Sequence, residues 1–211
     1  KNLERMVDAI MVRTYAHEGL ERLAEFAGIP VINGLTDYSH PCQALADYFT
    51  LRERRGSLER LKVAYVGDGN NVCHELMMGA VKLGMSFACA SPKGYEPNQL
   101  IVKATVRDAQ KARVTVPVVT ADPMAAVAGA DVVYTDVWAS MGQEDEIEER
   151  NGIFAAYQVD EEMLARALPT ALFMHCLPAH RGQEVTQEVL DGPQSVVYDI
   201  AENRLHVQKA I

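Results

Sequence analysis

The sequence predicts an α/β fold with one complete parallel-sheet domain and a substantial part of a second. From Arg60 onward, short apolar segments alternate with helical patterns, which indicates parallel strands joined by right-handed crossover helices. The first sixty residues show a different pattern, with a long helix that could connect two domains. A length of 211 residues is sufficient for both parts.

The amino-terminal part predicts two strands and two helices. The strands are Asp8 to Val12 and Pro30 to Ile32, and the helices are Glu18 to Ala27 and Pro41 to Arg52, with a proline at the start of the second. The charged stretch Arg52 to Arg60 is the expected boundary. It places residues 1–50 in one domain and 60–190 in the other.

The second part predicts six strands with helices between them. The strands are Lys62 to Val66, Ser86 to Ala90, Val114 to Thr120, Asp131 to Thr135, Ala171 to His175 and Val196 to Tyr198. The helices are Asn71 to Leu83, one opened by Pro97, one from Asp122 to Ala128, and a tail helix from Ala201. The acidic segment Gln143 to Arg150 is expected to be a solvated loop.

Composition narrows the class of partner. A formal net charge of -9, from 20 basic and 29 acidic residues, disfavours nucleic acid and anionic membranes and favours a small-molecule ligand. Four cysteines without a C-x-x-C pair indicate a reducing compartment. We find no signal peptide and no apolar stretch of membrane-spanning length, so we expect a soluble, cytoplasmic protein. Lys1 and Ile211 look like cut ends.

Asp136 ends an apolar strand, and a short loop then brings Ser140, Met141 and Gly142 to one place. Ligands of parallel sheets bind beyond the carboxyl ends of the strands, so Asp136 could meet a cationic group of a substrate. The alternative is that Asp136 caps the following turn.

His40 and Gln43 lie three residues apart at the start of the long helix, so one helix face can present an imidazole and an amide together. A simple helix cap is the alternative for His40. Arg13 ends a strand and Arg204 precedes a helical segment. Their forked, permanently charged donors suit phosphate and polarised carbonyl oxygens.

Cys176 follows His175 at the end of a very apolar strand. It could be a nucleophilic thiol or a buried structural cysteine. A zinc site is disfavoured, because no further ligands stand at a suitable spacing.

The segment Gly67 to Asn71 follows a strand and opens a helix, as a dinucleotide-binding turn does. Val72 stands where the third glycine is required, and no acidic residue ends the next strand. We therefore expect neither a nicotinamide cofactor nor a metal, and we expect Asn71 to project its amide into a cleft.

Together these segments resemble the aspartate/ornithine transcarbamoylase family, and the serine-methionine-glycine loop is similar to that of its ornithine carbamoyltransferases. The resemblance is carried, in family order, by Arg13-Thr14, His40-Pro41-Cys42-Gln43, Gly67-Asp68-Gly69-Asn70-Asn71, Pro92-Lys93-Gly94-Tyr95-Glu96-Pro97, Asp136-Val137-Trp138-Ala139-Ser140-Met141-Gly142-Gln143-Glu144, His175-Cys176-Leu177-Pro178 and Ala201-Glu202-Asn203-Arg204.

The resemblance implies two transcarbamoylase domains, the first incomplete, with residues 200–211 starting a helix that returns to it. It also implies transfer of the carbamoyl group from carbamoyl phosphate to the δ-amino group of L-ornithine, without metal or cofactor. The residues implied for carbamoyl phosphate are Arg13, His40, Gln43, Cys176, Leu177 and Arg204, and those for ornithine are Asn71, Asp136, Ser140 and Met141. Arg13 and His40 would polarise the carbamoyl oxygen, and Asp136 with Cys176 would receive the attacking amine.

The same resemblance implies a homotrimer in which a neighbouring subunit completes the site. The family's serine-threonine-arginine-threonine phosphate loop does not occur in these residues, so the chain alone is expected to be inactive. Two alternatives remain open. One is a transcarbamoylase for a modified ornithine or another amine, and the other is a non-catalytic ligand-binding remnant.

Overall fold

Two parallel sheets organise the chain in the computed structural model, which describes residues 1–140 and 142–211. The strands are β1 Ile10–Arg13, β2 Val31–Leu35, β3 Lys62–Val66, β4 Ser86–Ala90, β5 Val118–Thr120, β6 Val132–Thr135 and β7 Leu172–His175. The helices are α1 His17–Phe26, α2 Pro41–Arg55, α3 Asn71–Lys82, α4 Gln99–Ala112, α5 Pro123–Val127, α6 Ile147–Phe154, α7 Glu161–Leu164, α8 Gln187–Leu190 and α9 Val197–Ala210.

The larger sheet has the strand order β5-β4-β3-β6-β7, and every pair in it is parallel. The chain runs outward from β3 to β5 and then crosses back to place β6 on the other side of β3. Such a reversal of strand order opens a crevice beyond the carboxyl ends of the two central strands. Val66 pairs with Thr135 in this register, so Gly67 and Asp136 emerge side by side at that crevice.

Side chains of the larger sheet enter two hydrophobic cores, because successive residues of a strand face opposite sides. Ala64 and Val66 of β3 pack with residues of α5, α6, α7 and α8. Val63 and Tyr65 pack on the other side with residues of α2, α3, α4 and α9. Burial on both faces explains the nearly continuous apolar strands in the sequence.

The smaller sheet pairs β1 with β2, and α2 leads from it to the larger sheet. Helix α9 packs along α2. Asn203 donates hydrogen bonds to Thr50 and Glu53, and Arg54 pairs with Asp199. The segment from 1 to 55 is thereby held against the larger sheet through contacts with the last helix.

The predicted α/β class, with parallel sheets flanked by helices, is confirmed. The strand predicted at Val196 to Tyr198 is wrong. Ser195 forms a single bridge to Phe173 of β7, and the chain then enters α9 four residues before the predicted start of the tail helix. Arg204 consequently lies inside a helix and does not precede one.

Two further predictions need correction. The strand predicted from Val114 forms only at Val118–Thr120, because Pro117 has no N–H to donate to a ladder. The acidic segment predicted as a loop forms a 3₁₀ turn at Glu144–Glu146 and the first half of α6. No helix among the described residues is both long and apolar enough to cross a membrane.

Candidate active site

A cleft of about 630 Å³ opens at the crevice between the carboxyl ends of β3 and β6. Of the predicted site residues, Arg13, His40, Asn71, Asp136, Ser140, Cys176, Leu177 and Arg204 line it. Gln43 lies fully buried beneath the lining and contacts it through Arg204. Met141 lies outside the described residues. The structure thus brings residues from six separate segments to one cleft.

A wider groove of about 900 Å³ lies near the other end of the larger sheet, between the ends of α2, α3 and α4. Arg52, Arg60, Lys82 and Arg113 contribute positive charge to it. Cations near helix carboxyl ends complement the helix dipoles. Because none of the predicted site residues lines this groove, the smaller cleft is the candidate active site.

Asp136 is the best-defined group of the cleft. Its Oδ1 accepts hydrogen bonds from the Cys176 thiol at 2.9 Å and from the Val137 backbone N–H at 2.8 Å, and its Oδ2 accepts one from the Asn70 amide at 2.7 Å. Asn70 is itself fixed, since its Oδ1 caps α3 by accepting from two backbone N–H groups. These three hydrogen bonds hold the Asp136 carboxylate in one orientation. Only 5% of the residue is exposed.

Cys176 is a protonated thiol in this arrangement. Burial raises its pKa well above the ordinary value, and the neighbouring Asp136 carboxylate raises it further by repulsion and by accepting the thiol hydrogen bond. The thiol therefore serves as a donor that orients Asp136. A resting thiolate nucleophile is disfavoured.

His175 shapes the turn that carries Cys176. Its Nδ1 accepts the backbone N–H of Leu177 at 2.8 Å, so Nε2 bears the proton and donates to Glu184 at 3.2 Å. Leu177 has a φ of 58°, and the Leu177-Pro178 peptide bond is cis. Both His175 and Glu184 are completely buried, and the pair supports this turn from below.

Asp136, His175 and Cys176 have side-chain atoms within 4.8 Å of one another, close enough to be considered as metal ligands. Both ring nitrogens of His175 already have partners, and the Cys176 thiol donates to Asp136. A metal ion would therefore have to replace several hydrogen bonds of a network that is complete without it.

His40 begins α2 but does not cap it, because its side chain makes no hydrogen bond to the first turn. Its ring faces the cleft beside Arg13 and Arg204. Burial lowers the pKa of His40 to about 3, and the positive charges of Arg204 and Arg13 contribute to this shift. The ring is thus neutral near pH 7, and its Nδ1 is buried without a hydrogen-bond partner among the described residues. The simple cap interpretation is not supported.

Asn71 and Ser140 line the cleft together with Asp136. The Asn71 amide donates to the backbone carbonyl of Thr36 in the loop after β2, so it links the two parts of the chain across the cleft. The Ser140 backbone N–H donates to Gln143 at 2.9 Å.

The packing around Gly69 explains why glycine occurs in the turn that resembles a dinucleotide-binding motif. A Cβ at this position would approach Pro97 N to 2.2 Å, so only glycine allows the turn to pack against the 92–98 loop. Its N–H donates to Tyr95 at 2.8 Å. Close backbone packing thus accounts for the glycine.

Arg150 is a functional residue that the sequence reasoning missed. It is buried and donates to the Trp138 carbonyl at 2.8 Å, to Asp68 at 2.9 Å and to Glu146 at 2.8 Å. Its guanidinium also lies over the ring of Tyr95, 4.9 Å from the centroid. Arg150 thereby ties the loop after Asp136 to the turn after β3. A single cation within an otherwise acidic segment is the signal that could have identified it.

Asp68 accepts one of the hydrogen bonds of Arg150. Burial raises the pKa of Asp68 to about 6, and the attraction of Arg150 only partly opposes this increase. Asn70 was also missed, because its role in orienting Asp136 depends on the adjacency of β3 and β6 and leaves no local sequence pattern.

Comparison with known proteins gives consistent matches over the whole chain. Residues 59–211 match the family described as aspartate/ornithine carbamoyltransferase, Asp/Orn binding domain, and residues 1–53 match its carbamoyl-P binding domain. An ornithine carbamoyltransferase of Pyrococcus horikoshii is 56% identical over 209 residues, which cover 99% of this chain and 66% of the relative. That of Carboxydothermus hydrogenoformans is 58% identical, with 99% and 67% covered.

Solved structures agree with these matches. The ornithine carbamoyltransferase from Pyrococcus furiosus superimposes with a TM-score of 0.95 at 55% identity, over 99% of this chain and 66% of that one. The ornithine transcarbamoylase from Giardia lamblia gives a TM-score of 0.91 at 34% identity, over 99% and 70%. The chain thus spans about two thirds of the length of these relatives.

Proposed function

Because the chain belongs to the aspartate/ornithine carbamoyltransferase family, we propose that the protein carrying it transfers the carbamoyl group of carbamoyl phosphate to the δ-amino group of L-ornithine, giving L-citrulline and phosphate. The observation that carries this proposal is the Asp136 carboxylate, held by Cys176 and Asn70 opposite a neutral His40 and the two arginines Arg13 and Arg204. One side of the cleft suits an amine and the other suits an anion.

On the acceptor side, Asp136 attracts the δ-ammonium group of ornithine and accepts its proton, since only the neutral amine can attack. The Cys176 thiol keeps the carboxylate aimed at the amine. Asn71, Ser140 and Met141 bind the α-amino and carboxylate end of ornithine.

On the carbamoyl side, the amine nitrogen forms a bond to the carbonyl carbon and the bond from that carbon to the phosphate oxygen breaks. Arg13, His40 and Arg204 stabilise the negative charge that develops on the carbonyl oxygen. Gln43 and the Cys176-Leu177 turn hold the carbamoyl nitrogen. Inorganic phosphate leaves with the bonding electrons.

The organisation of the protein forms part of the same proposal. Residues 1–50 belong to the carbamoyl-phosphate domain, 60–190 form the ornithine domain, and 200–211 belong to the helix that returns to the first domain. The family matches to 1–53 and 59–211 and the packing of α9 on α2 support this division. We further propose a cytoplasmic homotrimer, in which a neighbouring subunit completes the cleft.

The test is a citrulline assay with the protein at its natural length and three acceptors. We expect L-ornithine to be preferred over aspartate and putrescine by several orders of magnitude in kcat/KM. Putrescine lacks the α-carboxylate and so leaves the polar groups that would bind it unpaired, and aspartate lacks the δ-amino group that attacks. Putrescine turnover comparable to that with ornithine would refute the assignment of the acceptor. The relatives give no support to another amine acceptor.

A further inference from the structure

The amide of Gln43 makes a hydrogen bond at each end. Its Nε2 donates to Oδ1 of Asp47 at 2.9 Å, one helical turn away on α2, and its Oε1 accepts from Nη1 of Arg204. Gln43 is fully buried. A glutamine amide can rotate by 180° and exchange its donor and acceptor ends, so these two contacts decide which end faces the cleft.

The position of Asp47 allows it to fix the orientation of the Gln43 amide. It is also fully buried, and its Oδ2 accepts the hydroxyl of Tyr134 on β6 at 3.1 Å. In its ionised form Asp47 accepts hydrogen bonds and cannot donate them, so the Gln43 amide must turn its NH₂ group toward this carboxylate. Arg204 can only donate, and it selects the same orientation from the other side.

The two contacts differ in what happens when substrate enters. In the proposed function Arg204 also donates to the substrate, so its contact with Gln43 competes with substrate binding, and the Gln43 oxygen, which has two lone pairs, accepts from the carbamoyl NH₂ group. Asp47 then remains as the contact that prevents amide rotation. With the amide rotated, two NH₂ groups would face each other and no hydrogen bond could form.

The burial of an acid at this position is costly, which argues against a role in packing alone. Burial raises the pKa of Asp47 to about 7 although hydrogen bonds from Gln43 and Tyr134 and the charge of Arg204 oppose the increase. Among the described residues, no side chain of opposite charge forms an ion pair with Asp47.

We propose that Asp47 is a positioning residue that holds the amide of Gln43 with its carbonyl oxygen toward the cleft, where this oxygen binds the nitrogen of the carbamoyl group. The inference rests on the proposed function, because it assigns Gln43 to carbamoyl phosphate. It adds a residue that never touches the substrate and acts through Gln43.

The experiment is a double-mutant cycle with Gln43→Ala and Asp47→Leu, which is similar in size to aspartate and has no acceptor, measured as kcat/KM for carbamoyl phosphate in the protein at its natural length. We expect each single variant to lose up to about a hundredfold, because a small misplacement of a substrate-binding group has an effect of this size. We expect the double variant to be no worse than Gln43→Ala. The KM for ornithine should stay close to wild type throughout.

Tyr134→Phe is the matched control, because it removes the other hydrogen bond of the same carboxylate without touching Gln43. It should retain kcat/KM close to wild type. Additive losses in the cycle, or equal losses for Tyr134→Phe and Asp47→Leu, would show a structural role and overturn the proposal.

Asp47→Ser provides a second variant in case Asp47→Leu does not fold. Failure of both to fold, while Gln43→Ala and Tyr134→Phe fold, would assign Asp47 to stability and reject the proposal. A parallel cycle on the free energy of unfolding by urea tests the Gln43 to Asp47 contact without reference to activity. If the wild-type protein transfers no carbamoyl group, the proposed function fails irrespective of this second cycle.

Discussion

Asp136 is the residue whose surroundings most restrict its chemistry. Three donors hold its two oxygens, and one of them is a thiol whose raised pKa keeps it protonated. A carboxylate fixed in this way can accept a proton from an amine without rotating. Replacing it should therefore affect the chemical step more than the binding of the carbamoyl donor.

We predict that Asp136→Asn lowers kcat by about 10² to 10⁴, the usual loss when a positioned general base is removed. The asparagine amide cannot take up the proton of the substrate amine. The KM for carbamoyl phosphate should change little, since the proposed function places Asp136 beside ornithine. Steady-state kinetics of Asp136→Asn and Arg13→Ala tests this difference. The comparison variant, Arg13→Ala, should raise the KM for carbamoyl phosphate. Wild-type turnover in Asp136→Asn would remove it from the active site.

His40 gives a prediction about pH. Its pKa is about 3 in the folded chain against 6.5 for an unperturbed histidine, so below pH 6.5 the unfolded chain binds a proton that the folded chain does not. The contribution of His40 to the free energy of unfolding should fall as the pH decreases from 6.5 toward 3.

We predict that His40→Gln removes this contribution, so that the variant loses less stability than wild type between pH 6.5 and 4. Urea unfolding at several pH values measures it. The comparison of the two proteins cancels the opposite contributions of Asp47 and Asp68, whose raised pKa values favour the folded chain at acid pH. Parallel curves for the two proteins would contradict the neutral state of His40.

At the level of elements, the burial of each strand explains how well its limits could be predicted from the sequence. β3 and β4 were predicted with their observed limits, because burial on both faces makes each a continuous apolar run. The start of α9 was predicted as a strand for a related reason, since Val196 and Val197 are apolar and β-branched. Their burial at a helix start depends on tertiary contacts that a local pattern does not contain.

Prediction of the candidate site is limited in the same way, because a local sequence pattern does not contain tertiary contacts. His40, Asp136 and Cys176 stand in short motifs and could be identified from the sequence. Asn70 and Arg150 contribute through contacts to residues 66 and 82 positions away, so no local spacing indicates them.

We predict that Arg150→Met disorganises the loop after β6 and raises the KM for ornithine. The KM for carbamoyl phosphate should change less. Loss of one partner of a buried ion pair also lowers the free energy of unfolding by about 3–5 kcal/mol, because Asp68 is left without its partner. Arg166→Met is the control, since the Arg166 pair with Glu162 is exposed and should contribute about 0–1 kcal/mol. Kinetics and urea unfolding of both variants test the prediction, and equal behaviour would contradict it.

At the scale of the whole molecule, the cleft combines residues of both matched domains, but the side proposed to bind carbamoyl phosphate has few positive groups. Arg13 and Arg204 are the arginines on that side among the described lining residues. The family resemblance implies further phosphate donors in a serine-threonine-arginine-threonine loop, which the 211 residues do not contain.

We therefore predict that residues 1–211, expressed alone, form no measurable citrulline at high protein concentration. Preorganised donors usually supply the largest part of the catalytic effect, and the leaving phosphate would lack several of them. The protein at its natural length serves as the positive control in the same assay. Comparable turnover by the two would contradict the role given to that loop.

The packing of α9 on α2 also has a consequence for the order of assembly. Its hydrogen bonds join residues about 150 positions apart, including Asn203 with Thr50 and Arg204 with Gln43. Contacts between such distant residues form slowly, since a long loop must close before they stabilise the chain. During synthesis α2 leaves the ribosome long before α9 is made. The side of the cleft that Arg204 completes should therefore form late in folding, after α9 docks on α2.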